Sequence, residues 1–171
     1  MNSNIEQNLN KAQDLAKTAH IFATIALVFI GIAILSDTAA PFFRLISNEA
    51  LSWSERINET GIILVNILPA TLLCASINQL NKALQDYSNG EFFSQKASKQ
   101  VALAGDYAVE AMVAAMLIVP NLSLWIAHEG GFDIRIENEF IGMLAFAIFI
   151  AAVGRVLAAA GDLKQENESF I

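Results

Sequence analysis

Glu110 and Arg155 are charged residues inside long apolar stretches, Tyr107–Ala127 and Phe140–Gly161. An ionisable group in such a setting is a functional candidate, because it is costly there unless paired, hydrated or used. At ~1.5 Å of rise per residue, Arg155 lies ~22 Å beyond Phe140, and so ~8 Å from the edge of a ~30 Å hydrocarbon core. Glu110, just after Tyr107 on a helix running the opposite way, lies ~5 Å in from the same edge. His20 opens another apolar stretch and Asn78 nearly closes one, at a similar level. These depths allow a Glu110–Arg155 ion pair and a polar cluster of His20, Asn78, Glu110 and Arg155 that could hold a ligand or ion. A plainer alternative has Arg155 snorkelling to headgroups and Glu110 reaching water. No carboxylate, histidine or basic residue is placed deeper, which counts against proton-coupled transport.

Catalytic patterns are missing: there is no phosphate-binding loop, no Gly-x-Ser-x-Gly elbow and no His-Glu-x-x-His. The expectation is a non-enzyme without metal or cofactor, since two histidines and one cysteine are too few ligands for structural zinc. Cys74, with no base nearby in sequence, is expected as a packing residue. Seventeen acidic against ten basic residues, a net charge of −7, argue against direct contact with nucleic acid.

The elements that must position these residues follow from hydropathy. The 171 residues are 55% hydrophobic and 16% charged, and four stretches are long enough to span a bilayer: 19–36, 61–80, 107–127 and 140–161. They predict an all-α, four-helix transmembrane bundle forming a single integral membrane domain over 1–171 and contacting lipid on its outside. A signal peptide cleaved near Thr38-Ala39-Ala40 is the competing reading of the first stretch, but that stretch exceeds an ordinary h-region. Seven of the ten Lys and Arg residues flank one set of span ends: Lys11, Lys17, Lys82, Lys96, Lys99, Arg155 and Lys164. Arg44, Arg56 and Arg135 flank the other, so both termini are expected on the cytoplasmic side of a bacterial inner membrane.

Two loops carry structure of their own. Pro41 is expected to start a short outer interfacial helix containing Phe42, Phe43, Leu45, Ile46, Leu51 and Trp53. On the cytoplasmic side, Leu80, Leu84 and Tyr87 continue the second helix until Asn89-Gly90 stops it, and Ser94 caps the next. This makes a helical hairpin with Glu91-Phe92-Phe93 at its tip. Within the spans, Pro69 and Pro120 each remove a backbone donor, and Asn66 and Asn121 are placed to bond each other. Small residues at fourfold spacing, such as Ala111 and Ala115, Ala147 and Ala151, or Gly154 and Ala158, permit close helix approach.

The run Gly90-Glu91-Phe92-Phe93-Ser94, the following helix with Gly105, and the C-terminal Leu163-Lys164-Gln165-Glu166-Asn167-Glu168-Ser169-Phe170-Ile171 resemble the bacterial family called domain of unknown function 2975. The resemblance follows nearly the whole chain in span count and spacing, although Ser169-Phe170 stands where the family reads Leu-Thr. It implies a small multi-pass inner-membrane protein of no established activity, in a family whose members often look like partners of small helix-turn-helix regulators.

The function expected is therefore a non-catalytic interaction, accessory or regulatory subunit, binding a protein partner or a second copy of itself. Glu91, Phe92, Phe93 and the acidic tail Asp162–Ile171 would make the contact, as water-facing aromatics usually mark a contact surface. The alternative is a small transporter, channel or ligand or pH sensor that uses the His20, Asn78, Glu110 and Arg155 cluster.

Overall fold

The computed structural model describes residues 3–92 and 94–169. Among these, every regular element is helical: α1 (Ser3–Ser47), α2 (Trp53–Ser88), α3 (Gln95–Ile126) and α4 (Asn138–Ser169). All four are long and apolar enough to cross a membrane, the make-up of a helical multi-pass membrane protein. Short connections make chain neighbours packing partners. α1 packs on α2, α2 on α3 and α3 on α4. Among the described residues no comparable packing joins α1 to α4, so the helices pack in chain order as an open row.

The segment after Pro41, expected as a separate interfacial helix, is instead the last part of α1. Pro41 removes only its own bond to the Asp37 carbonyl, a loss the helix tolerates here. Thr38-Ala39-Ala40 therefore lies within a continuous helix. The chain turns at Asn48, whose Oδ1 accepts from the Ala50 N–H at 3.2 Å. The Arg56 guanidinium donates to the carbonyls of Leu45 at 2.8 Å, Asn48 at 2.7 Å and Leu51 at 3.4 Å, and so ties the end of α1 to the turn that follows it. α2 then starts in a capping box: the Glu55 N–H donates to Ser52 Oγ, and the Ser52 N–H donates to Glu55 Oε2 at 2.7 Å.

α2 and α3 form the expected hairpin. Gly90 takes the left-handed turn at φ +89°, while Asn89 stays helical. A Cβ on Gly90 would also lie 2.6 Å from Gln13 Nε2, so α1 reaches the hairpin tip. Ser94 Oγ caps α3 by accepting from the Ala97 N–H at 3.0 Å. Beneath the tip, Ala83, Ala97 and Val101 form a buried cluster with Leu80, Tyr87 and Ile150 around it.

Two glycines set the register of α3 against α4. A Cβ on Gly105 would overlap the backbone of Ala151, and one on Gly154 would overlap that of Ala102. The helices thus touch backbone to backbone, and Ala147 and Ala151 are buried along the seam.

α3 widens into a π-turn at Ala114–Ile118. Pro120 leaves the Met116 carbonyl without its helical donor, and the Arg135 N–H takes that place at 3.0 Å. The extended segment before α4 is thereby drawn back along α3. α3 itself ends with His128 at φ +58°, where the Glu129 N–H donates to the Leu124 carbonyl at 2.9 Å and the His128 N–H to Trp125 at 3.2 Å. This is the paired closure usually built on glycine.

Candidate functional sites

The hairpin tip is a folded surface. The Phe92 ring stacks on Tyr87 with centroids 6.0 Å apart and planes at 15°. Phe92 is therefore half-buried, whereas the sequence reading has it facing water; Tyr87 supplies the partner ring one turn before the bend. Phe93 lies outside the described residues. Glu91 is exposed. Lys96 Nζ pairs with Asp86 Oδ1 at 3.1 Å, joining the two arms, and the Asp86 side chain is only 11% exposed against 69% for Lys96. The Asp86 carbonyl accepts from the N–H groups of Asn89 and Glu91, both at 3.1 Å. Burial pushes the Tyr87 hydroxyl above the ordinary phenol range, and the neighbouring Asp86 charge acts in the same direction. Gln95 Nε2 bonds Asp162 Oδ1, which ties the start of α3 to α4. In the acidic tail, side chains beyond Leu163 lie outside the described residues.

The structure does not join His20, Asn78, Glu110 and Arg155. His20 Nδ1 lies 3.3 Å from the Asn81 carbonyl, and Asn81 Nδ2 donates to Thr24 Oγ1 at 3.1 Å, so this level ties α1 to α2. Asn78 is exposed. Arg155 Nη2 donates to Asp106 Oδ1 at 2.7 Å. Glu110 is exposed and has no ion pair among the described residues. The correction has a geometric cause: with Ala151 against Gly105, Arg155 is one turn further along α4 and reaches the residue next to Gly105. Asp106 stands just before the apolar stretch that opens at Tyr107, and so escapes a search confined to that stretch. The two seam glycines, each set against an alanine of the other helix, are the signal that would find it.

Nor do Asn66 and Asn121 meet. Asn66 Nδ2 donates to Ile62 O of its own helix at 2.8 Å. Asn121 holds the extended segment: its Nδ2 donates to the Asp133 carbonyl at 2.7 Å, and the Asp133 N–H donates to its Oδ1 at 3.1 Å. Away from the hairpin tip, α2 is tied to α3 through Ser76, whose buried hydroxyl donates to the Ala104 carbonyl at 2.7 Å.

Cys74 is partly buried with a free thiol. Among the described residues, no group of three His, Cys, Asp or Glu is placed to hold a metal. A cavity of about 370 Å³ opens between α2, α3 and α4, lined by Leu73, Ile77, Met112, Met143 and Phe146. A cleft of about 300 Å³ between α1 and α2 has Asp37, Thr38 and Asn66 in its wall.

No curated protein and no solved structure matches the chain. Its helices and hairpin nonetheless fit a known pattern: over residues 10–171 it matches the family model described as protein of unknown function (DUF2975), and the chain belongs to that family.

Proposed function

We propose that this protein is a non-catalytic interaction or accessory subunit of the bacterial inner membrane, with both termini in the cytoplasm and the hairpin tip as its docking surface for a protein partner. The observation that carries the reading is the construction of the tip. The Tyr87–Phe92 stack and the Asp86–Lys96 pair fix the bend, while the Glu91 side chain faces outward. A fixed, mixed aromatic and acidic surface loses little conformational freedom on docking. The Lys and Arg bias toward the hairpin end supports its cytoplasmic placement. The ligand or transport alternative needs its four residues to converge, and they keep separate surroundings.

The test is gentle extraction of the tagged protein from its native membrane, followed by mass determination and identification of what is retained. A foreign partner in fixed stoichiometry is expected, and it should be lost from Glu91→Lys and from Phe92→Ala with Phe93→Ala. A homo-oligomer carrying nothing else would sink the proposal, as would a partner retained equally by both variants.

A further inference from the structure

Packing places Glu110 much deeper than its position in the sequence implies. The Ser76–Ala104 bond fixes α2 against α3. The same number of residues further along both antiparallel helices brings Glu110 level with Ala70, the middle of the apolar stretch 61–80. The Gly105–Ala151 contact likewise sets Glu110 level with Phe146, ~7 Å from the middle of the stretch 140–161. The extended segment gives an independent bound. Asn121 and Met116 hold Asp133 and Arg135 beside α3, and charged, irregular backbone is not exposed to hydrocarbon. The apolar layer must therefore end at or before that level, at most ~9 Å beyond Glu110, which keeps Glu110 inside the layer with its outer edge that far off.

This depth is away from bulk water, and among the described residues Glu110 has no ion pair. It shares an exposed face of α3 with Leu103 and Val113. By helical phase this face is opposite Ala108 and Met112, which line the cavity shared with α2 and α4. One turn away, Asp106 takes Arg155. The face therefore has two carboxylates against one guanidinium, an excess of one negative charge. A short glutamate side chain cannot reach headgroups from there. A second copy presenting the same face would add another excess negative charge.

We infer that this face of α3 docks a transmembrane helix of a different protein, one carrying a lysine or arginine near its middle, and that Glu110 receives that charge. This rests on the reading of the chain as an interaction subunit and gives it a second, intramembrane contact.

The test uses the full chain in phosphatidylcholine vesicles with three fluorescent Leu/Ala helices of ~22 residues, alike except for a central Lys, Leu or Glu, and with energy transfer as the readout. The Lys helix should bind at least about tenfold more tightly than the Leu helix. Glu110→Gln should bring the two to within about twofold, and Glu110→Lys should move the preference to the Glu helix. Equal binding of the Lys and Leu helices by the unaltered chain would overturn the inference, as would a Lys preference that survives Glu110→Gln. Self-association abolished by Glu110→Gln, with peptide binding unchanged, would overturn it in favour of a second copy. If the hairpin variants still shed a native partner while the helices bind equally, only the intramembrane contact is overturned. If the native protein retains no foreign partner, the interaction reading itself is overturned.

Discussion

Gly105 lies directly against the backbone of Ala151, and Ala102 lies in the same way against Gly154. No side chain separates α3 from α4 at either point, so any added Cβ must push the helices apart. Gly105→Val and Gly154→Val should each lower stability by ~1–3 kcal/mol, the usual range for overpacking. Gly31, with nothing within 4 Å of a built Cβ, is the control, and Gly31→Ala should change little. Thermal unfolding in detergent, followed by the loss of helical circular dichroism, checks the series. A silent Gly154→Val would contradict the observed seam.

The ion pair between α3 and α4 joins Arg155 to Asp106, which makes Glu110 its silent neighbour. A double-mutant cycle with Asp106→Asn and Arg155→Gln should give a coupling of about 1 kcal/mol. The same cycle with Glu110→Gln in place of Asp106→Asn should give close to none. The opposite ranking would restore the pairing expected from apolar-run lengths.

Asn121 grips Asp133 through both amide atoms, so Asn121→Ala should free the extended segment before α4. The expected loss is ~1–2 kcal/mol for two bonds, with faster trypsin cleavage after Arg135. Asn66→Ala, which breaks a bond only within α2, should leave cleavage unchanged. Equal cleavage of both variants and the unaltered protein would show that the clamp does not hold the segment.

Hydrogen bonds from the side chain and N–H of Ser52 hold the Glu55 carboxyl below its ordinary 4.5. A depressed carboxylate contributes stability that is fully present above its unfolded value and is lost as pH falls through the folded one. Stability should therefore fall as pH is taken below about 4.5, more steeply with Ser52 than with Ser52→Ala. Thermal midpoints measured from pH 6 to pH 3 test this, and parallel curves for the two proteins would remove Glu55 as a source.

Apolar run lengths in the sequence determined four helices able to span a membrane, because backbone groups in hydrocarbon must be satisfied within a helix. Local turn chemistry determined the hairpin: Gly90 tolerates the left-handed bend and Ser94 supplies a side-chain acceptor. Alanine and glycine spacing also marked α4 as a close-packing helix. Tertiary structure decided what run lengths do not encode, namely how far each helix slides along its neighbour. The Gly105 and Gly154 contacts gave Arg155 to Asp106, and the Ser76–Ala104 bond carried Glu110 toward mid-span. Asn121 turned to the extended segment before α4 because Pro120 had freed a carbonyl for Arg135 to dock beside it. Phe92 turned inward because Tyr87, on the other side of the bend, offered a ring to stack on. Each of these outcomes depends on residues brought together from separate elements, and spacing along a single helix does not contain them.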